Sequence, residues 1–317
     1  MNKILVTGCA GFIGSHLADR LLKEGYEIVG IDNFYDYYDP KIKERNINQA
    51  IKSDKFKLYR VDILNESELS QIFNNEKLEK IIHLAARAGV RPSIKNPKLY
   101  GEVNVLGTVN ILSLAVKYGV EHIIFGSSSS VYGKSTKIPF TEDDSCENII
   151  SPYGASKRSA EFFVESFHRL HGLKCTILRF FTVYGPRGRP DMAPAIFTKA
   201  ILENKSIKQF GNGLSSRDYT YIDDIVDGII KSIENEFYFE IINLGNNHPV
   251  KLLEMISILE RLTSKKVRIK KRLPQAGDVE ITWANVVKAR KLLGWEPKTR
   301  LSEGLRKYIE WLKFQKL

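Results

Sequence analysis

Apolar residues along this chain gather into short runs set between longer stretches of helical periodicity. Lys3 to Thr7, Glu27 to Ile31, Lys57 to Asp62, Lys80 to Leu84, His122 to Ser127 and Lys174 to Phe180 read as strands, and segments such as Leu99 to Lys117 fall between them. This alternation predicts an α/β fold with a doubly wound parallel sheet, in which ligands gather beyond the carboxyl ends of the strands. Gly8, Asp32, Asp62, Ala85 and Ser127 all lie at such ends. After Phe181 the pattern loosens, with Pro186, Pro190 and Pro194 close together and a Gly211-Asn212-Gly213 turn. Helices are expected at 195–203, 224–233, 252–262, 285–293 and 302–314, and a strand near 240–244 is expected to return to the main sheet. Residues 1–181 therefore read as the doubly wound (Rossmann) domain. Residues 182–317 read as a smaller interleaved region that covers the site, with some segments rejoining the sheet.

The first strand runs directly into Gly8, Gly11 and Gly14, and a helix follows. Glycine lets backbone approach a pyrophosphate without a Cβ in the way, and a helix N-terminus offers free N–H groups with a positive dipole end. The spacing is GxxGxxG, not the commoner GxGxxG. The second strand ends at Asp32, about twenty residues on, where a ribose-binding acid belongs. A carboxylate there favours NAD over NADP, because it would repel a 2′-phosphate; Lys41 and Lys43 follow nearby. The bland alternative is a glycine turn in a cofactor-free α/β protein.

Ser151-Pro152-Tyr153-Gly154-Ala155-Ser156-Lys157 places a tyrosine one helical turn before a lysine, downstream of the serine row Ser127 to Ser130. Positions i and i+4 share a helix face, so the Lys157 ammonium is expected near the Tyr153 phenol, favouring phenolate. A phenol titrates near 10, too high for a base at neutral pH, and a cation shifts it in the needed direction. Taken alone, the pair could be an ordinary amphipathic helix with a surface lysine.

Together these residues resemble the extended short-chain dehydrogenase/reductase family, and within it the nucleotide-sugar epimerases. The resemblance runs nearly end to end: the TGxxGFIGS start, Asp62, His83-Leu84-Ala85-Ala86, Asn104-Val105-Leu106-Gly107-Thr108, the serines before Val131-Tyr132-Gly133, and Tyr153 with Lys157. The segments from Arg179 to Met192 and from Arg217 to Asp224 are similar to UDP-sugar 4-epimerases, nearest the UDP-glucuronate 4-epimerase group. The resemblance implies catalysis by Tyr153, Lys157 and Ser128. It implies NAD bound by Gly8, Gly11, Phe12, Ile13, Gly14, Asp32, Asn33, Asp62, Ile63, Leu84, Ala85, Ala86, Asn104, Ser127, Tyr153 and Lys157. For the UDP-sugar it implies contacts from Ser128, Ser129, Ser130, Tyr153, Thr182, Arg189, Phe210, Arg217, Asp278 and Thr282. Among these, Arg217 would pair with the diphosphate, Phe210 meet uracil and Asp278 approach the uridine ribose. The competing role for Arg217 is an ion pair with Asp218, Asp223 or Asp224. Gln275 departs from the pattern, standing where many UDP-galactose epimerases carry a second phosphate-binding arginine.

The implied reaction inverts C4 of a UDP-hexose through a transient 4-keto sugar, with NAD regenerated in place. Two substrate pairs fit the resemblance. Thr282 replaces a bulky tyrosine of some relatives, leaving room for the acetamido group of UDP-N-acetylglucosamine and UDP-N-acetylgalactosamine. Ser129, Ser130 and Thr182 could instead serve the carboxylate of UDP-glucuronate and UDP-galacturonate, with Arg87, Arg91, Arg187 and Arg189 as further candidate partners. Sugar 4,6-dehydratases carry an acidic pair just before Val-Tyr-Gly, and UDP-glucuronate decarboxylases a glutamate. Ser129-Ser130 stand there, which ranks both below the epimerase. A non-catalytic NAD-binding regulator would be expected to have lost Ser128, Tyr153 or Lys157, and all three are present.

Composition adds a few bounds. The 317 residues carry 48 basic and 37 acidic side chains, a net charge of +11. No arginine-rich arm or interleaved aromatic stripe accompanies that charge, so a solvated basic surface is expected and no nucleic-acid partner. Cys9, Cys146 and Cys175 form no CxxC or metal spacing, so reduced thiols, a cytoplasmic location and no metal are expected. With Met1-Asn2-Lys3 leading straight into the first strand, no leader peptide is expected, nor an apolar run of bilayer-spanning length, so no membrane partner is expected. Surplus apolar residues on 99–117 and 153–170, among them Val109, Leu112, Phe162, Phe163 and Phe167, predict a homodimer joined by a four-helix interface.

Overall fold

The computed structural model describes residues 3–275 and 277–315; Ala276, within the Gln275 to Asp278 segment, and the Met1-Asn2 start lie outside the described residues. Its main sheet holds seven strands: β1 (Lys3–Thr7), β2 (Glu27–Ile31), β3 (Phe56–Tyr59), β4 (Lys80–His83), β5 (His122–Ser128), β6 (Lys174–Phe180) and β10 (Phe239–Leu244). Their order is β10-β6-β5-β4-β1-β2-β3 and every pairing is parallel, so the strand ends form one ledge above the sheet. Two small sheets sit apart from it. One joins β7 (Thr182–Tyr184), β9 (Ser216–Tyr221) and β11 (Pro249–Lys251), and the other pairs β8 (Ile207–Phe210) with β12 (Ile269–Arg272).

Successive side chains of a strand face opposite sides, and the core divides accordingly. Ile4, Val6, Ile28, Ile82 and Ile124 pack into one apolar cluster, and Leu5, Val29, Ile81 and Ile123 into the other. Strands buried on both faces read as nearly continuous apolar runs, which is why they were visible in the sequence.

The Pro152–His171 helix is delimited by local chemistry. Ser151 Oγ accepts the Gly154 N–H at 3.1 Å, Pro152 occupies the first turn, and Gly172 ends the helix in a left-handed conformation with φ of 69°. Its inner face buries Lys157, Ala160, Glu161 and Val164. The stretch from Pro97 to Lys117 is helical throughout, with a widened π turn at Glu102–Leu106. By length and composition it could cross a bilayer, which corrects the expectation that no such run exists. Ile111, Leu112 and Leu114 on it are buried against the sheet, so its apolarity belongs in large part to the core. Leu112 is therefore a core residue and not surplus surface.

Candidate active site

A cleft of about 1120 Å3 lies along the carboxyl ends of the strands. That volume exceeds the range of most single-ligand pockets and suits a dinucleotide together with a second nucleotide. Of the residues expected to contact NAD or sugar, every one but Asn104 lines it. Asn104 is buried, and it holds the neighbouring loop: Nδ2 donates to Arg87 O and to Ser156 Oγ, both at 2.9 Å, while Oδ1 accepts the Arg87 N–H at 2.7 Å. Asn104 thus shapes the wall from behind and does not face the cleft.

The glycine turn is dictated by close approach. Gly8 has φ of +71°, and a Cβ on it would lie 2.8 Å from the Ala85 backbone nitrogen. A Cβ on Gly14 would collide with the Gly8 carbonyl. At Gly11 the only protein atom nearby would be Gly8 O at 3.1 Å; the remaining space is cleft, so bare backbone faces it at the start of the Phe12–Lys23 helix. That surface fits a dinucleotide pyrophosphate.

Asp32 is held from several sides. One carboxylate oxygen accepts the Ala10 N–H at 3.1 Å, the other accepts the Phe34 N–H at 2.8 Å, and Lys43 Nζ stands 3.6 Å from it. The neighbouring acid, Asp62, accepts from Asn33 Nδ2 at 2.6 Å and from the Leu64 N–H at 2.9 Å. His83 is structural. Thr7 Oγ1 accepts the Leu84 and Ala85 N–H groups, which leaves its proton for His83 Nδ1 at 2.7 Å, and the opposite ring nitrogen donates to Thr108 Oγ1 at 3.1 Å. Burial pushes this imidazole down to about 3, so it stays neutral and fixes the 84–86 turn.

Tyr153, Lys157 and Ser128 come together at the end of β5. The Tyr153 ring stands edge-on to Tyr100 with centroids 6.1 Å apart. Burial raises its phenol above the usual value, and the Ser128 hydroxyl and the Arg189 guanidinium work against that rise. Lys157 Nζ is turned differently from the expectation: it donates to Gly126 O at 2.7 Å and sits 4.8 Å from the centroid of the Phe125 ring. A buried ammonium needs an acceptor, and the strand-end carbonyl provides it. Burial pushes Lys157 down to about 8, with Glu161 opposing. Arg189 itself is forked onto Asp191 at 3.0 and 2.6 Å, and Asp191 also accepts from Tyr37 at 2.8 Å.

Also lining the cleft, Arg91 lies 5.0 Å from the centroid of the Phe210 ring and 3.2 Å from the Asp278 carboxylate. Arg217 on β9 is half-buried, donates to Ser216 O at 2.9 Å, and has no carboxylate within 4.0 Å among the described residues. The ion pairs considered for it do not form. Asp218 is occupied by the Asn246 and Ala284 N–H groups at 2.5 and 2.9 Å, and Asp224 by the Thr299 N–H at 3.0 Å. Thr282 is buried and accepts the Asp218 N–H at 3.1 Å. Gln275 Oε1 is buried and has no hydrogen-bond partner among the described residues. Pairs such as Tyr35 stacked on Arg87 at 3.2 Å, Lys43 on Asp32, and Asp191 on Arg189 escaped the sequence reading; only the glutamate discussed below carried a sequence signal, its helical spacing from Lys157.

Known proteins share this arrangement. The family described as GDP-mannose 4,6 dehydratase matches residues 5–308. A UDP-glucuronate 4-epimerase of Thermodesulfobacterium geofontis is 45% identical over 99% of this chain and 97% of its own length. The crystal structure of UDP-glucuronic acid 4-epimerase from Bacillus cereus, in complex with UDP-glucuronic acid and NAD, superposes with a TM-score of 0.94 at 38% identity, covering 99% of both chains. A UDP-glucose 4-epimerase of Thermotoga maritima with UDP-glucose gives 0.92 at 34% identity, again over 99% of both. With a parallel seven-stranded sheet, a glycine cradle and a Ser-Tyr-Lys set at its strand ends, the chain belongs to the GDP-mannose 4,6-dehydratase family of extended short-chain dehydrogenase/reductases.

Proposed function

We propose that this protein is an NAD-dependent 4-epimerase of UDP-hexoses, with the glucuronate and galacturonate pair as its substrates. The observation that carries the reading is that Tyr153, Ser128 and Lys157 line the same cleft as the glycine cradle and the group of Phe210, Arg217 and Asp278. Gly8, Gly11, Gly14, Asp32 and Asp62 would hold the dinucleotide, which when bound supplies the hydride acceptor and donor. Tyr153 takes the proton of the C4 hydroxyl as that carbon is oxidised and returns a proton to the turned 4-keto sugar. Ser128 donates to the same oxygen and keeps it within reach. Lys157, one helical turn beyond the tyrosine, contributes positive charge to the same cleft.

The grip must be uneven, because strong directional bonds to each sugar hydroxyl would oppose the turnover of the ring. Arg217 and its neighbours suit the constant diphosphate and uridine. Toward the sugar, Ser129, Ser130 and Thr182 bring hydroxyls to the cleft wall. The arginines weighed for the uronate carboxylate are otherwise engaged: Arg187 with Asp19 at 2.7 Å, Arg189 with Asp191, Arg91 with Asp278 and Arg87 on Tyr35. Serine and threonine hydroxyls can rotate to donate to a carboxylate in either orientation of the ring. Ser129 and Ser130 also stand where elimination would call for a carboxylate, which disfavours a dehydratase or decarboxylase. A second pair, the N-acetylhexosamines, is favoured by one feature, the small Thr282 in the cleft wall.

Purified protein incubated with each UDP-sugar separately, without added cofactor, is expected to interconvert the two uronates, read by NMR of the products. Conversion of the acetamido pair alone would transfer the assignment to it. Accumulation of NADH with loss of carbon dioxide would remove the protein from the epimerases.

Residues 182–317 supply Phe210, Arg217, Asp278 and Thr282, and we read them as the substrate-covering part of the chain. We further propose a cytoplasmic homodimer. Its three cysteines are free and buried, and Leu106, Phe162, Phe163 and Leu170 are 40–73% exposed on the two long helices. Sedimentation at micromolar concentration is expected to give twice the mass of the chain, and a Phe162→Glu/Phe163→Glu variant to give the monomer; a monomeric parent protein would exclude this interface.

A further inference from the structure

Three residues of the Pro152–His171 helix stand at successive i, i+4 steps: Tyr153, Lys157 and Glu161. Glu161 is 1% exposed, and each of its oxygens is fully engaged. One accepts from Ser127 Oγ at 2.5 Å and Arg179 Nε at 3.0 Å; the other accepts from Arg179 and Arg158, both at 2.9 Å. Arg179 is buried on β6, and its remaining nitrogen donates to Tyr132 OH at 3.0 Å, which in turn donates to Asn243 on β10 at 2.7 Å. A forked pair of this kind is costly to bury and rigid once satisfied. Packing alone would not require it, because an apolar pair of similar volume would serve.

We propose that Glu161, clamped by Arg179, is a positioning residue of the catalytic centre: it keeps Lys157 in its ammonium form and, through Ser127, fixes the strand end that presents Ser128. The proposal rests on the assignment of Tyr153 and Lys157 as the proton-transfer pair. Two links carry it. Ser127 immediately precedes Ser128, so the hydrogen bond from Ser127 Oγ to Glu161 anchors the backbone on which Ser128 sits. Glu161 also stands one helical turn beyond Lys157, and its charge works with the Gly126 carbonyl to hold the proton on Lys157 against burial. The other groups facing Lys157 cannot substitute. Tyr153 gains and loses its proton in the reaction itself, Gly126 offers a carbonyl dipole, Phe125 a ring face, and His83 a neutral imidazole, while Arg179 and Arg158 are cations already held by Glu161.

The sign of the pH effect follows. The ammonium is lost as pH rises through its value of about 8. Removing the carboxylate lowers that value, so the alkaline limb of kcat/KM moves to lower pH. Removing Arg179 takes away one of the two counter-charges on the carboxylate, leaving Arg158, and moves the limb to higher pH.

The test is the pH profile of kcat/KM for Glu161→Gln, Glu161→Asp and Arg179→Gln, with folding followed by circular dichroism. The expected result for E161Q is a limb displaced downward by about one pH unit, a tenfold activity loss near pH 8.5 with a smaller loss near pH 7. E161D restores part of that displacement, and R179Q displaces the limb upward. A uniform loss at every pH with the limb unmoved, in whichever of these variants folds, overturns the proposal, because that is what a purely structural pair would produce. Tyr153→Phe measured alongside separates the two readings. Full activity there defeats the proton-transfer assignment itself, whereas an inactive Y153F with an unmoved limb in E161Q defeats only the role given to Glu161.

Discussion

Tyr153→Phe is expected to lower turnover by roughly 10²–10⁴-fold while leaving NAD bound. The substitution removes one oxygen and keeps the ring, so the edge-on packing against Tyr100 survives and the helix is undisturbed. The glycine cradle and Asp32 lie on other elements, and nothing in their geometry depends on the phenol. The chemistry does depend on it. Ser128 and Lys157 cannot replace it, since a serine hydroxyl is far too weak an acid to cycle a proton near neutrality and the ammonium is committed to the Gly126 carbonyl. The measurement is product formation by NMR, together with the NAD content of the purified variant. Full turnover would remove Tyr153 from its role; loss of NAD would show that the phenol oxygen is needed to hold the dinucleotide.

Arg217→Gln should act on binding instead. A charge-assisted hydrogen bond contributes about 1.5–3 kcal/mol, so KM for the UDP-sugar is expected to rise roughly 10- to 150-fold with kcat much less affected. Because the guanidinium has no carboxylate partner among the described residues, its removal strands no buried anion and the fold should hold. The dissociation constant of UDP itself should rise in parallel, measured by calorimetry, whereas NAD content should not change. A variant with unaltered UDP affinity would place the diphosphate elsewhere in the cleft.

Strands β1, β2 and β6 begin and end where the apolar runs do, because parallel strands buried on both faces have few polar positions to blur their bounds. β3 stops at Tyr59, short of Asp62, since Asp62 turns out of the ladder to cap the Leu64 N–H. The helix near residue 195 starts two residues early, with Pro194 in its first turn where a missing N–H costs nothing. Asn104 was placed at the cofactor and instead braces the Arg87 loop from within a widened helical turn, a conformation no periodicity encodes. Lys157 was placed against the phenol, and it is turned to the strand by its need for an acceptor.

What the sequence determined by itself was everything local: the strand and helix alternation, the glycines that only a tight approach explains, and the one-turn spacing of Tyr153, Lys157 and Glu161. Tertiary structure alone decided the charge relations. The forks of Arg179 on Glu161 and of Arg189 on Asp191, the freedom of Arg217 and the contact of Arg91 with Asp278 depend on which side chains meet across the fold and how deeply they are buried. Coulomb energy follows distance and solvent access, and for residues far apart along a chain the folded backbone sets both.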